Sequence, residues 1–421
     1  MSQKITFSRI VLLFLLQSLT ISGQSVRIDG EVRSRIEYRD GFKSPLADTL
    51  SGTAVEGLRT RIQLDYADDK VKAKITLQDS RMYGETGVNN TKNSLGVFEA
   101  WGSYRVLPEF SVTLGRQAIE YDDKRLITVS NWSNTGNAHD LLLLKYELPG
   151  QFKLHLGSAW NNSSDNDYEK IYNVARSYKA LTYIWFGKSF GQLDFSAIGL
   201  NDVLDYGTTD AEINKKAYRN TLGGNVGLKN KDIPVSFYAT VYYQFGHDAV
   251  NHPLNAYLLA LNAQYKINNV WSLLAGCDYF SGTSTEDVQK GKDKTFNKLY
   301  GSNHAFNGSM EYWTTLPAQG LWDGYGGVAF KPNVKFDVNA VFHSFAVAKE
   351  LPDTPKKSIG SEIDFTANYT ISPQLAIQGG WSAYFKNEQT DILKKQVGLD
   401  THFPQWAFVM LTFKPKFFNT K

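Results

Sequence analysis

The chain has 421 residues, of which 42% are apolar, 14% aromatic and 21% charged. Lys and Arg number 45 against 42 Asp and Glu, and a formal charge of +3 identifies no class of partner. Beyond the N-terminus there is no run of 18 apolar residues, and the mean hydropathy is −0.34, which together exclude a helical membrane protein. Cys277 is the single cysteine, so an intrachain disulfide is excluded too.

The N-terminus has the composition of a secretory signal peptide. Lys4 and Arg9 precede an apolar run from Ile10 to Leu16, and small or polar residues follow. That run is too short for a transmembrane helix. We therefore predict a cleaved leader over residues 1–23 and a single mature domain over residues 24–421.

Short polar turns alternate with longer polar stretches along the rest of the chain. Eight short turns contain residues that favour tight turns, namely Ala67-Asp68-Asp69-Lys70, Leu107-Pro108-Glu109, Pro149-Gly150-Gln151, Gly191-Gln192, Asn230-Lys231-Asp232, Asn268-Asn269, Pro332-Asn333 and Ser372-Pro373-Gln374. Nine longer stretches lie at about 40–55, 82–95, 119–137, 162–177, 203–217, 247–253, 282–320, 347–357 and 387–402. This rhythm predicts about 18 antiparallel strands with short periplasmic turns and long extracellular loops.

The segments between these connections alternate apolar and polar residues. In Ile28 to Tyr38 the charges fall on odd positions, including Glu31, Arg33 and Arg35, and the apolar residues fall on even ones. Period two places the charges on one face. An Arg or Lys facing lipid at the bilayer midplane costs about 2–4 kcal/mol, so we expect this face to line an aqueous lumen.

Aromatic residues cluster beside the short turns, where one interfacial girdle of a membrane barrel belongs. They are Tyr66, Tyr104, Phe110, Tyr146, Phe152, Phe190, Tyr265, Trp271, Phe330, Phe336 and Tyr369. We expect these side chains to face outward, towards lipid. The alternative is that they are hydrophobic plugs at the end of a soluble sandwich.

Arginine is distributed unevenly. Ten of the twelve arginines after the leader lie between residues 27 and 125: Arg27, Arg33, Arg35, Arg39, Arg59, Arg61, Arg81, Arg105, Arg116 and Arg125. The planar guanidinium matches carboxylate and phosphate groups, so a row of arginines along one wall indicates a path for anions. The alternative is that these arginines pair with neighbouring acids and only brace the wall.

The longest connection, about 282–319, contains Phe296, Tyr300, His304 and Phe306. Long loops are often functional. We predict that this loop folds into the barrel as a constriction.

Motifs for other chemistry are missing: the sequence has no CxxC, HExxH or GxSxG motif and no Walker loop. His139 beside Asp140, and His343 on a polar strand face, could in principle belong to a hydrolase. Since a catalytic triad requires spatial convergence, we predict no enzyme, no catalytic residues, no metal and no cofactor.

Several strings resemble the alginate-export family of outer-membrane barrels, in the family's order. They are Leu58-Arg59-Thr60-Arg61; Leu77-Gln78-Asp79-Ser80-Arg81; Leu114-Gly115-Arg116-Gln117; Asp123-Lys124-Arg125-Leu126 with Trp132; Phe296-Asn297-Lys298-Leu299-Tyr300-Gly301 with His304 and Gly308; and Gly360-Ser361-Glu362-Ile363-Asp364. The resemblance implies a barrel whose lumen arginines and acids line a path for a polyuronate. It implies path roles for Arg59, Arg61, Arg81, Arg116 and Arg125, with Asp79 and Glu362 as bracing acids. Strict alternation does not place Arg81 and Arg116 inward, so their role requires a bulge near the rim.

The sequence thus predicts an all-β chain forming one transmembrane barrel in the bacterial outer membrane. Its arginine-lined lumen, to which Arg33 and Arg35 with Glu31 also belong, would pass alginate-like polyuronate or small anionic saccharides by passive diffusion. A general porin for neutral sugars or nutrients is the first alternative, and a secreted soluble β-sandwich that binds carbohydrate is a more distant one. Expected partners are outer-membrane lipid and the saccharide, with periplasmic export or uptake components as further candidates, and no nucleic acid.

Overall fold

The structure is a computed structural model, which describes residues 23–86, 88, 94–229, 233–352 and 354–420. These residues form nineteen strand segments in one sheet. The strands are β1 (Ser25–Asp40), β2 (Thr53–Ala67), β3 (Val71–Met82), β4 (Leu95–Leu107), β5 (Phe110–Gln117), β6 (His139–Leu148), β7 (Phe152–Trp160), β8 (Ala180–Phe190), β9 (Leu193–Asp205), β10 (Lys216–Lys229), β11 (Val235–His247), β12 (Pro253–Lys266), β13 (Trp271–Phe280), β14 (Leu321–Asn333), β15 (Phe336–Ala346), β16 (Ser358–Ser372), β17 (Leu375–Phe385), β18 (Gln405–Phe413) and β19 (Lys416–Asn419).

Short helices occur only in the connections of the described chain: α1 (Thr285–Gln289), α2 (Glu388–Lys394) and a 3-10 turn at Asp210–Glu212. None of the described helices combines the length and the apolar character that crossing a membrane requires.

The sheet closes on itself. From β1 to β18 each strand pairs antiparallel with the next, and β1 also pairs with both β18 and β19 on its other side. Pro415, which cannot donate a backbone hydrogen bond, separates β18 from β19, and its carbonyl accepts from Gly30 N at 2.8 Å. The two segments are therefore one interrupted strand in a ring of eighteen, as predicted. A single closed sheet also makes the β-sandwich alternative wrong.

The connections follow the predicted rhythm with one displacement. β14 continues through Pro332 and Asn333, so that turn is formed by Val334 and Lys335 instead. A proline is tolerated in that strand because it lies at the strand's end. The predicted turn at 230–232 and, apart from Gly23, the predicted leader lie outside the described residues.

The two faces of the sheet are those that the alternation predicts. On β1, Ile36 and Tyr38 are exposed on the outer face, whereas Arg33, Arg35 and Glu37 are buried on the inner face. All the aromatic residues beside the short turns occupy outward positions, which confirms the girdle.

Two extracellular connections turn into the barrel. We call residues 118–138 inner loop 1 and residues 281–320 inner loop 2. They pack with inward side chains of the strands as a hydrophobic core that includes Ile127, Met310 and Trp313. The inward fold predicted for the longest loop is confirmed. These loops fill much of the extracellular half of the lumen with apolar side chains.

Candidate functional site

Three predicted path arginines hold inner loop 1 against the wall. Arg33 donates hydrogen bonds of 2.5, 3.1 and 2.8 Å to the carbonyl oxygens of residues 131–133. Arg35 donates to one of these carbonyls at 2.8 Å, and Arg59 donates to two of them at 3.1 and 3.0 Å. All three are buried, and Arg59 is 0% exposed. We call Arg33, Arg35 and Arg59 the arginine clamp. Glu31, a predicted bracing acid, contacts this clamp by accepting a hydrogen bond from Arg59 Nε at 2.7 Å.

Arg61 reaches the lumen more openly than its neighbours. A bulge between β3 and β4 turns both Phe98 and Glu99 inward, and the Arg61 guanidinium lies 3.8 Å above the Phe98 ring. Its Nε donates to Gln78 at 2.8 Å. Arg61 also lines a recess with Glu31 at the periplasmic side.

Arg125 joins inner loop 1 to the opposite wall. It forms two hydrogen bonds of 2.8 Å with Asp278 of β13 and a third, of 2.7 Å, with Asp123. Phe306 of inner loop 2 packs against the guanidinium at 3.9 Å. Because Arg125 and Asp278 are both almost fully buried, removing Arg125 would leave Asp278 unpaired in the core, and removing Asp278 would leave Arg125 with Asp123 alone.

The structure places Arg81 and Arg116 on the outer face of the barrel, near the extracellular rim. Arg81 pairs in unbroken register with Leu58, an outward position, and binds Asp79 at 2.7 Å. Arg116 binds Asp140 at 2.7 Å. No bulge turns either arginine inward, so these ion pairs lie outside the lumen.

Inner loop 2 is anchored by acids of β16. The backbone N–H of Met310 donates to Glu362 at 2.7 Å, and that of Ser309 donates to Asp364 at 3.1 Å. Gly308 has a φ of +83°, and a Cβ there would lie 2.6 Å from a Glu362 oxygen. The loop backbone thus approaches Glu362 as closely as only glycine allows.

A second anchor of this loop escaped the sequence reasoning. Tyr300 donates to Asp202 at 3.1 Å, and Asp202 also pairs with the buried Arg219 at 2.5 Å. Arg219 and Asp202 both fall on inward positions of adjacent strands. The alternation of side chains along the two strands could have shown that Arg219 and Asp202 share the inner face. It could not have shown that a loop almost 100 residues away binds there.

The two inner loops also bind each other. Ile127 and Tyr300 form a parallel bridge, and the Trp132 ring stacks on His304 at 3.8 Å. His304 Nδ1 lies 3.2 Å from Glu311, which also pairs with Lys43 at 2.9 Å. Burial would raise the pKa of Glu311, but the hydrogen bonds and charges of His304 and Lys43 outweigh it and lower that pKa to about 2.

Lysines rather than arginines dominate one side of the periplasmic half. Lys72 on β3, Lys145 on β6 and Lys153 on β7 face inward, and we call these three residues the lysine wall. Lys145 is close enough to the other two for their charges to interact. Ser103 and Thr113, the inward residues level with Lys72 on the two intervening strands, are small. The sequence signal for this site was the inward parity of lysines on β3, β6 and β7, whereas only the arginines were singled out from the sequence.

The candidate catalytic histidines have structural contacts. His139 faces inward and bonds to the Tyr178 hydroxyl at 2.9 Å, whereas Asp140 faces outward, so the two do not meet. His343 bonds to Asp323 at 2.9 Å. Within the described ranges, no group of three or more His, Cys, Asp or Glu side chains is placed to hold a metal ion.

Residues 25–387 match a family described as alginate export. The fold is similar to those of OccAB2 and OccAB1 from Acinetobacter baumannii and OpdL from Pseudomonas aeruginosa, at 12%, 11% and 10% sequence identity. In each case 93% of this chain is covered, with 98%, 97% and 99% of the other chain and TM-scores of 0.59, 0.64 and 0.63. These likenesses concern the fold. No curated protein matches the sequence.

Proposed function

Because the chain belongs to the alginate export family and forms an outer-membrane channel, we propose that it passes anionic saccharides by passive diffusion. The lysine wall is the observation that supports anions. Lys72, Lys145 and Lys153 have no ion pair with any described residue, and the inward Glu147 beside Lys145 and Lys153 offsets only part of their charge. A wall of net positive charge raises the local concentration of anions.

The arginines complete this proposal in two ways. Arg33, Arg35, Arg59 and Arg125 fix the position of inner loop 1 and thereby the width of the path, while Arg61 adds charge to the lumen. The packed core of the inner loops favours hexuronates and short alginate-like polyuronates over a long polymer, which would have to displace that core.

The remaining partners follow from the same proposal. Outer-membrane lipid surrounds the aromatic girdle, and periplasmic export or uptake components would meet the short-turn rim. The proposal includes no nucleic acid, no cofactor, no metal and no catalytic step.

A second candidate is a general channel for small neutral sugars. It is favoured by the arginine clamp, because the guanidinium groups of Arg33, Arg35 and Arg59 are engaged by loop carbonyls. Ion selectivity separates the two candidates.

The test is the reversal potential of the protein in a planar bilayer under a KCl gradient. We expect anion preference, and we expect the triple variant K72Q/K145Q/K153Q to lower it. One unit charge acting through water at contact is worth about 0.5–1 kcal/mol, which is about two- to fivefold in permeability ratio. A single variant, Lys145→Gln, is compared with the control Lys331→Gln. This control removes a lysine from an inward position of β14, across the barrel from the lysine wall. An unselective wild type would favour the neutral-sugar channel.

A further inference from the structure

A row of directly paired, inward-facing residues crosses five strands below inner loop 2. It runs from Gly227 on β10 through Tyr238 on β11, Asn262 on β12 and Gly276 on β13 to Tyr325 on β14. Two tyrosines therefore alternate with two glycines at the same level of the wall.

Each tyrosine ring lies flat on its neighbouring glycine. A Cβ at Gly227 would lie 2.9 Å from the Tyr238 ring, and a Cβ at Gly276 would lie 2.2 Å from the Tyr325 ring. One face of each ring thus covers backbone where no side chain could stand, and the His343 ring lies tilted at 5.3 Å from that of Tyr325. This glycine–aromatic pairing builds two fixed, half-exposed aromatic platforms.

Both platforms line one recess of about 480 Å³. Phe306 of inner loop 2 closes its upper end, and Lys229 and Gln264 lie at its lower, periplasmic end. The side chains of Lys229, Gln264 and Asn262 make no hydrogen bond or ion pair with any residue that the structure describes. The recess therefore combines aromatic faces with a cation and two amides that the protein itself leaves unused, whereas the two acids in its lining are engaged, Asp278 by Arg125 and Asp194 by Ser189.

We propose that this recess is a binding subsite for a short acidic oligosaccharide, and this inference rests on the proposed function. A pyranose ring has C–H groups on its faces and hydroxyls on its edge, which suits an electron-rich aromatic face flanked by amides. The ring of Tyr238 leans over β10 and that of Tyr325 over β13. Three strand spacings separate them by about 14 Å, a length that suits about two or three linked sugar units. Lys229 takes a sugar carboxylate.

The experiment is current block by a short oligouronate added to the periplasmic side of single channels in a bilayer. Tyr238→Leu and Tyr325→Leu should each shorten the residence time about three- to tenfold, the scale of one aromatic contact. Tyr238→Phe should retain the wild-type residence time, since the ring face remains. Lys229→Gln should shorten block by the oligouronate but not by a neutral oligosaccharide of equal length.

A matched pair of amide variants supplies the control. Gln264→Ala removes an amide of the recess and should shorten the block, whereas Gln378→Ala removes an inward amide of β17 outside it and should not. Heat-modifiable migration on SDS gels checks that every variant forms the barrel. If the oligouronate blocks the wild type and the tyrosine variants equally, the subsite is refuted and the proposed function stands. If the wild type shows neither block nor anion preference, the proposed function fails together with the subsite.

Discussion

Arginine acts inside this barrel mainly as a clamp. The guanidinium groups of Arg33, Arg35 and Arg59 bind carbonyl oxygens of residues 131–133, and a planar cation with five donors suits several acceptors at once. The inward face of these arginines could be predicted from alternation along β1 and β2. Their partners could not, because the bonded residues lie between 72 and 100 positions further along the chain.

At Asp278 the structure predicts a large effect on stability. Asp278→Asn would leave Arg125 buried with one of its two carboxylates gone, and breaking a buried pair costs about 3–5 kcal/mol. We expect the temperature at which the barrel loses its heat-modifiable migration to fall clearly. Asp140→Asn is the control, because its exposed pair with Arg116 is worth about 0–1 kcal/mol. Equal shifts for both variants would contradict the inferred role of Arg125.

Protonation of Glu311 should loosen the inner loops at low pH. Folding lowers the pKa of Glu311 from 4.5 to about 2, so its ionised form stabilises the loops above pH 4.5, and this stabilisation is lost as the pH falls towards 2. We expect single-channel current noise to rise in that window as inner loop 2 loosens from His304 and Lys43. Glu311→Gln should be noisier at neutral pH and respond less to acid. An identical pH response in this variant would show that other carboxyl groups are responsible.

At the scale of elements, the strands and the inward fold of the longest loop were predictable, whereas the contacts of the two inner loops were not. Period two fixes the face of each residue, and tight turns have characteristic residues, so the strand count and the girdle follow from local sequence. The packing of inner loop 1 depends on contacts with β1, β2, β11 and β13, which no local pattern encodes. Arg81 and Arg116 show the converse: alternation placed both on the outer face, where the structure has them, although a family string suggested a path role.

Conductance can show whether Arg59 holds inner loop 1 or lines the path. Arg59→Gln removes the charged donor to the loop carbonyls, and the loop should loosen, giving larger or noisier conductance. Arg116→Gln, on the outer face, should leave conductance unchanged. If Arg59→Gln lowered anion preference without changing conductance or noise, Arg59 would line the path rather than hold the loop.

The whole molecule combines a wide barrel with a narrowed interior. A ring of eighteen strands encloses room for a channel, and the two inner loops fill its extracellular half with a hydrophobic core. The periplasmic half stays polar, with the lysine wall on β3, β6 and β7 and Asp337 on β15, nine strands away from β6 in this ring.

The preference for anionic saccharides is tested most directly with liposomes that contain the purified protein, by comparing the uptake rate of a hexuronate with that of a neutral hexose of the same size. We expect faster uptake of the hexuronate at low salt, with an advantage that shrinks as salt screens the lysine wall. Equal rates for the two sugars at low salt, or faster uptake of the neutral sugar, would contradict it.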